Sequence, residues 1–193
     1  MKTVLLSLSI MAFSSLALSA EDPRITTGKV AELATHRIER LVTLKKIDAS
    51  YMLRLEKVEV TAVANAAPVA YKALISQTAP AAGAPLQMEM TFDAKVKFIA
   101  FKLIEGGASG VDPLWTGADS LTLLETGMHF VLENTANKQV EPYFLAMTQS
   151  SLSKATVGGK TVAVVKVKTS SQAQTLNIYV GLDAKFISYE IVP

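Results

Sequence analysis

Residues 92–98 read FDAKVKF, and residues 182–188 read LDAKFIS. In each, Asp-Ala-Lys separates two apolar runs, and Asp93 and Asp183 stand 90 positions apart. Upstream of the first, Leu86, Met88, Met90 and Phe92 alternate with Gln87, Glu89 and Thr91, the period of a strand with one buried face. Downstream, VKFIAFKLI is again strand-like, so the tripeptide reads as a turn that Asp initiates by hydrogen-bonding its own backbone. The second copy joins Thr175–Leu182 to Phe186–Val192 in the same manner. A hairpin written twice implies one supersecondary unit written twice.

Outward from these hairpins the rest of each unit takes shape. TTGKVAELATHRIERLVTLKKID, from Thr26 or Thr27, places Val30, Leu33, Ala34, Ile38, Leu41 and Val42 at threes and fours, an amphipathic helix. Asp119 or Ser120 caps a second helix with the stripe Leu121, Leu124, Met128, Val131 and Leu132. After the first helix, Leu53 and Leu55 alternate in one phase and Val58, Val60 and Ala62 in the other, so a bulge is expected near Glu56-Lys57. Val69–Ile75, Tyr143–Gln149 and Lys160–Thr169 complete the strands. The expected fold is α+β: two repeats of one helix packed on a four-stranded antiparallel sheet, over residues 21–105 and 119–193, joined by a Gly-rich linker at 106–118. An offset of 90 pairs Leu33 with Leu123 and Phe92 with Leu182.

Composition sets the compartment. The first 20 residues carry Lys2, an apolar run from Val4 to Ala12 and a small-residue junction ending Ser19-Ala20, the pattern of a signal peptide cleaved after Ser19 or Ala20. Serines interrupt that run, and it falls short of the roughly 20 residues a bilayer core requires. The chain has no cysteine, which removes disulfides, thiol metal sites and a lipidated N-terminal Cys. The expectation is a periplasmic or secreted protein with no stable membrane insertion after cleavage. Without Lys2, 18 basic residues face 17 acidic ones, and no basic stripe interleaved with aromatics exists to track nucleic acid.

Chemistry is sparse. His36 and His129 are the two histidines, each within a helix, and His129 follows Glu125 by four residues. Neither has a nucleophile motif beside it, and two isolated histidines do not make a zinc site. Gly106-Gly107, Gly110 and Gly158-Gly159 lack the strand-to-helix context of a phosphate loop. The expectation is a protein that is not an enzyme and has no cofactor or metal.

The helix KVAELATHRIERLVTLKKID, the long strand MLRLEKVEV, the segment TAVAN and the following strand with Tyr71 resemble the cystatin superfamily over residues 28–104, and more faintly over 119–193. The resemblance implies exposed hairpin tips. Of the family's Gln-x-Val-x-Gly inhibitory hairpin, Thr61-Ala62-Val63-Ala64-Asn65 keeps Val63, and Ala155-Thr156-Val157-Gly158-Gly159 keeps Val157 and Gly159. The Pro-Trp element of the family's later hairpin is missing from both Asp-Ala-Lys turns, and Pro113-Leu114-Trp115 sits in the linker. The partner-binding candidates are therefore Thr61, Ala62, Val63, Ala64, Asn65, Val157 and Gly159, with Trp115 either an exposed anchor or a packed linker residue. The leading functional expectation is an exported non-catalytic binding protein with a protein partner, in its sharpest form a cysteine protease. The alternative is a periplasmic carrier of lipid or another hydrophobic ligand, lined by Met88, Met90, Phe92, Phe98 and Phe101. An exported hydrolase is the third.

Overall fold

The computed structural model describes residues 26–64, 67–78, 86–104 and 115–193. The signal-peptide reading of residues 1–20, Asn65, and the linker up to Leu114 lie outside them. The described order is α1 (Thr27–Thr43), α2 (Ser50–Leu53), β1 (Leu55–Ala62), β2 (Tyr71–Gln77), β3 (Gln87–Phe92), β4 (Phe98–Ile104), α3 (Ser120–Glu133), α4 (Glu141–Leu145), β5 (Met147–Val157), β6 (Lys160–Thr169), β7 (Thr175–Val180) and β8 (Phe186–Val192).

The fold is α+β, but the expected two repeats, each one helix on its own four-stranded sheet, are corrected. All eight strands form one antiparallel sheet in the order β4-β3-β2-β1-β5-β6-β7-β8. The two meanders meet where β1 pairs with β5: Lys57 opposite Ser151, Val58 opposite Ser150, Glu59 opposite Gln149. Each four-stranded meander would leave its first strand as a bare edge, with unpaired backbone groups open to any other strand. Pairing the two first strands with each other removes both edges.

Local chemistry explains the elements. Thr26 caps α1 by accepting from Lys29 N at 3.1 Å, and Asp119 caps α3 by accepting from Thr122 N at 2.8 Å. The bulge expected in β1 lies between Leu55 and Lys57. At the β5–β6 turn, Gly158 and Gly159 have φ of 56° and 77°, the two positive angles that a two-residue hairpin turn demands. Two elements differ from expectation: α4 is a short helix that takes the start of the expected strand Tyr143–Gln149, so β5 starts at Met147, and α2 ends at Leu53, where the first strand is expected to begin.

All four helices cover one face of the sheet. Val58, Ile75, Met88, Val167 and Leu176 share that face by register and join Val30, Ala34, Ile38, Leu123, Leu124 and Val131 in a single core. Met88, Met90 and Phe92, the side chains of the carrier reading, are 0%, 0% and 1% exposed, so the core accounts for them. Among the described residues, no helix is long and apolar enough to cross a membrane.

Candidate functional site

On the other side of the sheet no helix packs among the described residues, and register dictates what is presented there. One row runs across all eight strands: Ile104, Gln87, Ser76, Lys57, Ser151, Lys166, Asn177 and Glu190. A second row is Lys102, Glu89, Leu74, Glu59, Gln149 and Lys168. Seven inter-strand spacings of about 4.8 Å and strands of about six residues make this face about 34 Å by about 20 Å. Its middle is floored by the short side chains of Ser76, Ser151 and Ser153, and Val164 is buried between Ser153 and Tyr179.

Charges on the N-terminal half of this face are paired. Lys57 meets Glu59 at 3.1 Å, and Glu89 receives Lys102 at 3.1 Å and Lys72 at 3.4 Å. Burial pushes the Glu89 carboxyl up, but the two ammoniums outweigh it and hold it below the usual carboxylate range. The C-terminal half is arranged differently. Glu190 accepts from the Tyr179 hydroxyl and from Asn177 Nδ2, and those bonds lower its pKa. Lys166 and Lys168 are exposed, and their ammoniums have neither an ion pair nor a hydrogen bond among the described residues.

The tips chosen from sequence are accessible but separate. Thr61, Ala62 and Ala64 are exposed and Val63 half-buried; Val157 and Gly159 are exposed at the β5–β6 turn. Because β1 and β5 run antiparallel, their hairpins leave opposite ends of the sheet. Val63 and Val157 lie five and seven residues from the Val58–Ser150 pair in opposite directions, about 40 Å apart at about 3.3 Å per residue. One wedge cannot contain both. Trp115 packs partly buried against the core, with Lys154 Nζ 4.9 Å from its ring centre.

A groove of about 730 Å³ between α1 and α3 holds both histidines, Glu125, Glu133, Phe130 and Phe186. Glu125 and His129, four residues apart on α3, do not pair with each other. His129 Nε2 lies 2.9 Å from Glu133, and Glu125 instead lies 3.8 Å from His36 across the helix interface. Its Oε1 is buried without a hydrogen bond, and burial raises its pKa. Among the described residues, no cluster of three or more His, Asp or Glu side chains is placed to hold a metal ion.

No known family profile and no curated protein matches the chain. Among solved structures, a candidate lipoprotein from Clostridium difficile 630 is similar at 11% identity and a TM-score of 0.31, covering 82% of this chain and 91% of that one. That likeness is too slight to add to the geometry.

Proposed function

We propose that the chain is an exported, non-catalytic binding protein, built from two copies of a cystatin-like α+β unit, that docks a folded protein partner on the helix-free face of its sheet. The observation that carries this is the face itself, which bears no helix among the described residues and spans about 680 Å², close to the roughly 800 Å² that each partner contributes to a standard interface. Its short, hydrogen-bonding side chains suit a polar, adaptable contact better than a reaction, which needs convergent titratable groups in a cleft. Export is read from the Lys2-to-Ala20 pattern, and duplication from the element order and the equivalent burial positions in α1 and α3.

Inhibition of a papain-like protease is the narrower form of this reading and draws on the Thr61–Ala64 tip. A photo-crosslinking residue placed at Ser151, Ala64 or Thr122 in the native host separates the cases. The docking face predicts a discrete adduct from Ser151 and none from Thr122 on the helix side. Adducts from Ala64 alone, with micromolar inhibition of papain, would transfer the function to the tip. Adducts from Thr122 alone would remove the face.

A further inference from the structure

We propose that the surface docking on this face is acidic, and that a partner carboxylate seats over Ser151 between Lys57 and Lys166, with Lys168 beside it. The inference rests on the reading of the helix-free face as the docking surface. Lys57 and Lys166 stand opposite Ser151 on the strands to either side, so their backbones are about 10 Å apart with the serine midway. The Ser151 hydroxyl accepts from Gln149 Nε2 at 3.4 Å, which leaves its own proton to donate. A carboxylate there takes one neutral donor and the unpaired Lys166 ammonium, and lies beside the Lys57 ammonium, which it would share with Glu59.

Electrostatics fixes the sign. The acids of the face are already engaged: Glu59 by Lys57, Glu89 by Lys72 and Lys102, Glu190 by Tyr179 and Asn177. The register neighbours of Lys166 are Ser151 and Asn177, and that of Lys168 is Gln149, all neutral. Covering those two ammoniums with an apolar or basic surface would strip their water without replacement, so only a partner that brings carboxylates is compatible with burying them. The N-terminal half, with its charges paired internally, discriminates little.

The ¹⁵N-labelled full chain, titrated at low salt with acetylated, amidated hexaglutamate, tests this directly. Amide perturbations are expected to concentrate on Lys57, Ser151, Lys166 and Lys168. They should weaken about fivefold or more in K166Q/K168Q and persist in K95Q/K97Q, which neutralises exposed lysines at the β3–β4 turn. Perturbations spread equally over Lys45, Lys46, Lys95 and Lys97 and unmoved by K166Q/K168Q, or no binding at all, would overturn it. A Ser151 adduct that survives K166E/K168E removes the acidic partner and leaves the docking face standing, whereas loss of the adduct in the unaltered chain removes the face itself.

Discussion

The two halves solve the same packing problem with different residues, and the differences show which positions matter. Buried positions of α1 at Gly28, Val30, Ala31, Ala34, Thr35 and Ile38 recur 93 residues later in α3 at Leu121, Leu123, Leu124, Gly127, Met128 and Val131. Around the Val58–Ser150 pair the strands correspond at 92, and Tyr51 and Tyr143, both buried, keep that spacing. By the same spacings Ala34 falls on Gly127 and Ala73 on Val165. The side-chain volume removed from the helix has moved to the strand. At the fourth strand, Arg37 lies 4.0 Å over the Phe98 ring, while its counterpart Phe130 stacks on Phe186 at 4.6 Å. A cation and an aromatic ring fill equivalent space, so shape is kept while charge is not.

The largest expected effect tests that exchange of volume. A Cβ at Gly127 would meet Val165 Cβ and Cγ2 at 2.6 Å, so Gly127→Ala should cost about 3 kcal/mol in urea unfolding. Val165→Ala leaves a cavity on its own, but in the double variant G127A/V165A the added methyl fills space that the valine vacates, so it should lose much less than the two single losses added together. Strict additivity would mean that the halves are not equivalent here.

Next in size is alkaline stability. Burial pushes the Tyr51 hydroxyl up to about 12, against a hydrogen bond from Gln77 that lowers it, and burial raises Tyr143 as well. A raised folded-state pKa stabilises fully below the unfolded value of about 10 and is lost as pH rises through the folded one. Stability should therefore fall by about 2 kcal/mol between pH 10 and 12 from Tyr51, and Tyr51→Phe should flatten that fall. A pH profile identical in Tyr51→Phe would contradict the burial of this ring.

The helix caps should behave alike: Thr26→Ala and Asp119→Ala are each expected to cost about 1 kcal/mol in thermal unfolding. The smallest effect has opposite signs in the two halves. Glu32 and Glu125 stand at the same 93-residue spacing, but Glu32 is held by Lys29 at 2.7 Å, whereas Glu125 is partly buried without a hydrogen bond at Oε1. Glu32→Gln should destabilise by up to about 0.5 kcal/mol, and Glu125→Gln should stabilise by less than about 1 kcal/mol at neutral pH. Because burial raises the Glu125 pKa, its protonated form suits the fold, so the benefit of Glu125→Gln should disappear as pH falls below the ordinary carboxylate range.

Much of this architecture is written locally. The stripe of α1, the alternation of β3 and the bulge in β1 follow from periodicity, because each buries one face against the core. Helices α2 and α4 do not, since four or five residues are too few to show a period. The repeated Asp-Ala-Lys, which points to two equivalent hairpins, is itself out of register. In the first turn Asp93 is the opening residue, accepting from Val96 N and bonding Lys95 N and Lys97 N through Oδ1. In the second, Gly181 opens the turn, and Asp183 sits two positions in, paired with Lys185. The left-handed residues Val96 and Ala184 correspond at 88, not 90, because the β6–β7 connection is four residues shorter than the β2–β3 one.

What no local pattern carries is the seam. Lys57–Glu59 and Gln149–Ser151 present polar side chains to the helix-free side, and their pairing is made by backbone groups that every residue possesses. The candidate face is hidden for the same reason: each of its residues reads singly as the wet side of a strand, and only the order of eight strands brings Lys57, Ser151 and Lys166 into one row.

That continuity across the seam is the claim on which the docking face and the two-half comparison depend, and the absence of native cysteine makes it simple to test. In K57C/S151C the two thiols would sit on directly opposed residues of β1 and β5, within the roughly 4.4–6.8 Å Cα separation that a disulfide accepts. Mild oxidation of the dilute protein should give one intramolecular disulfide in nearly every molecule, leaving it monomeric and folded. Free thiols, or crosslinks only between molecules, would show that the halves carry separate sheets.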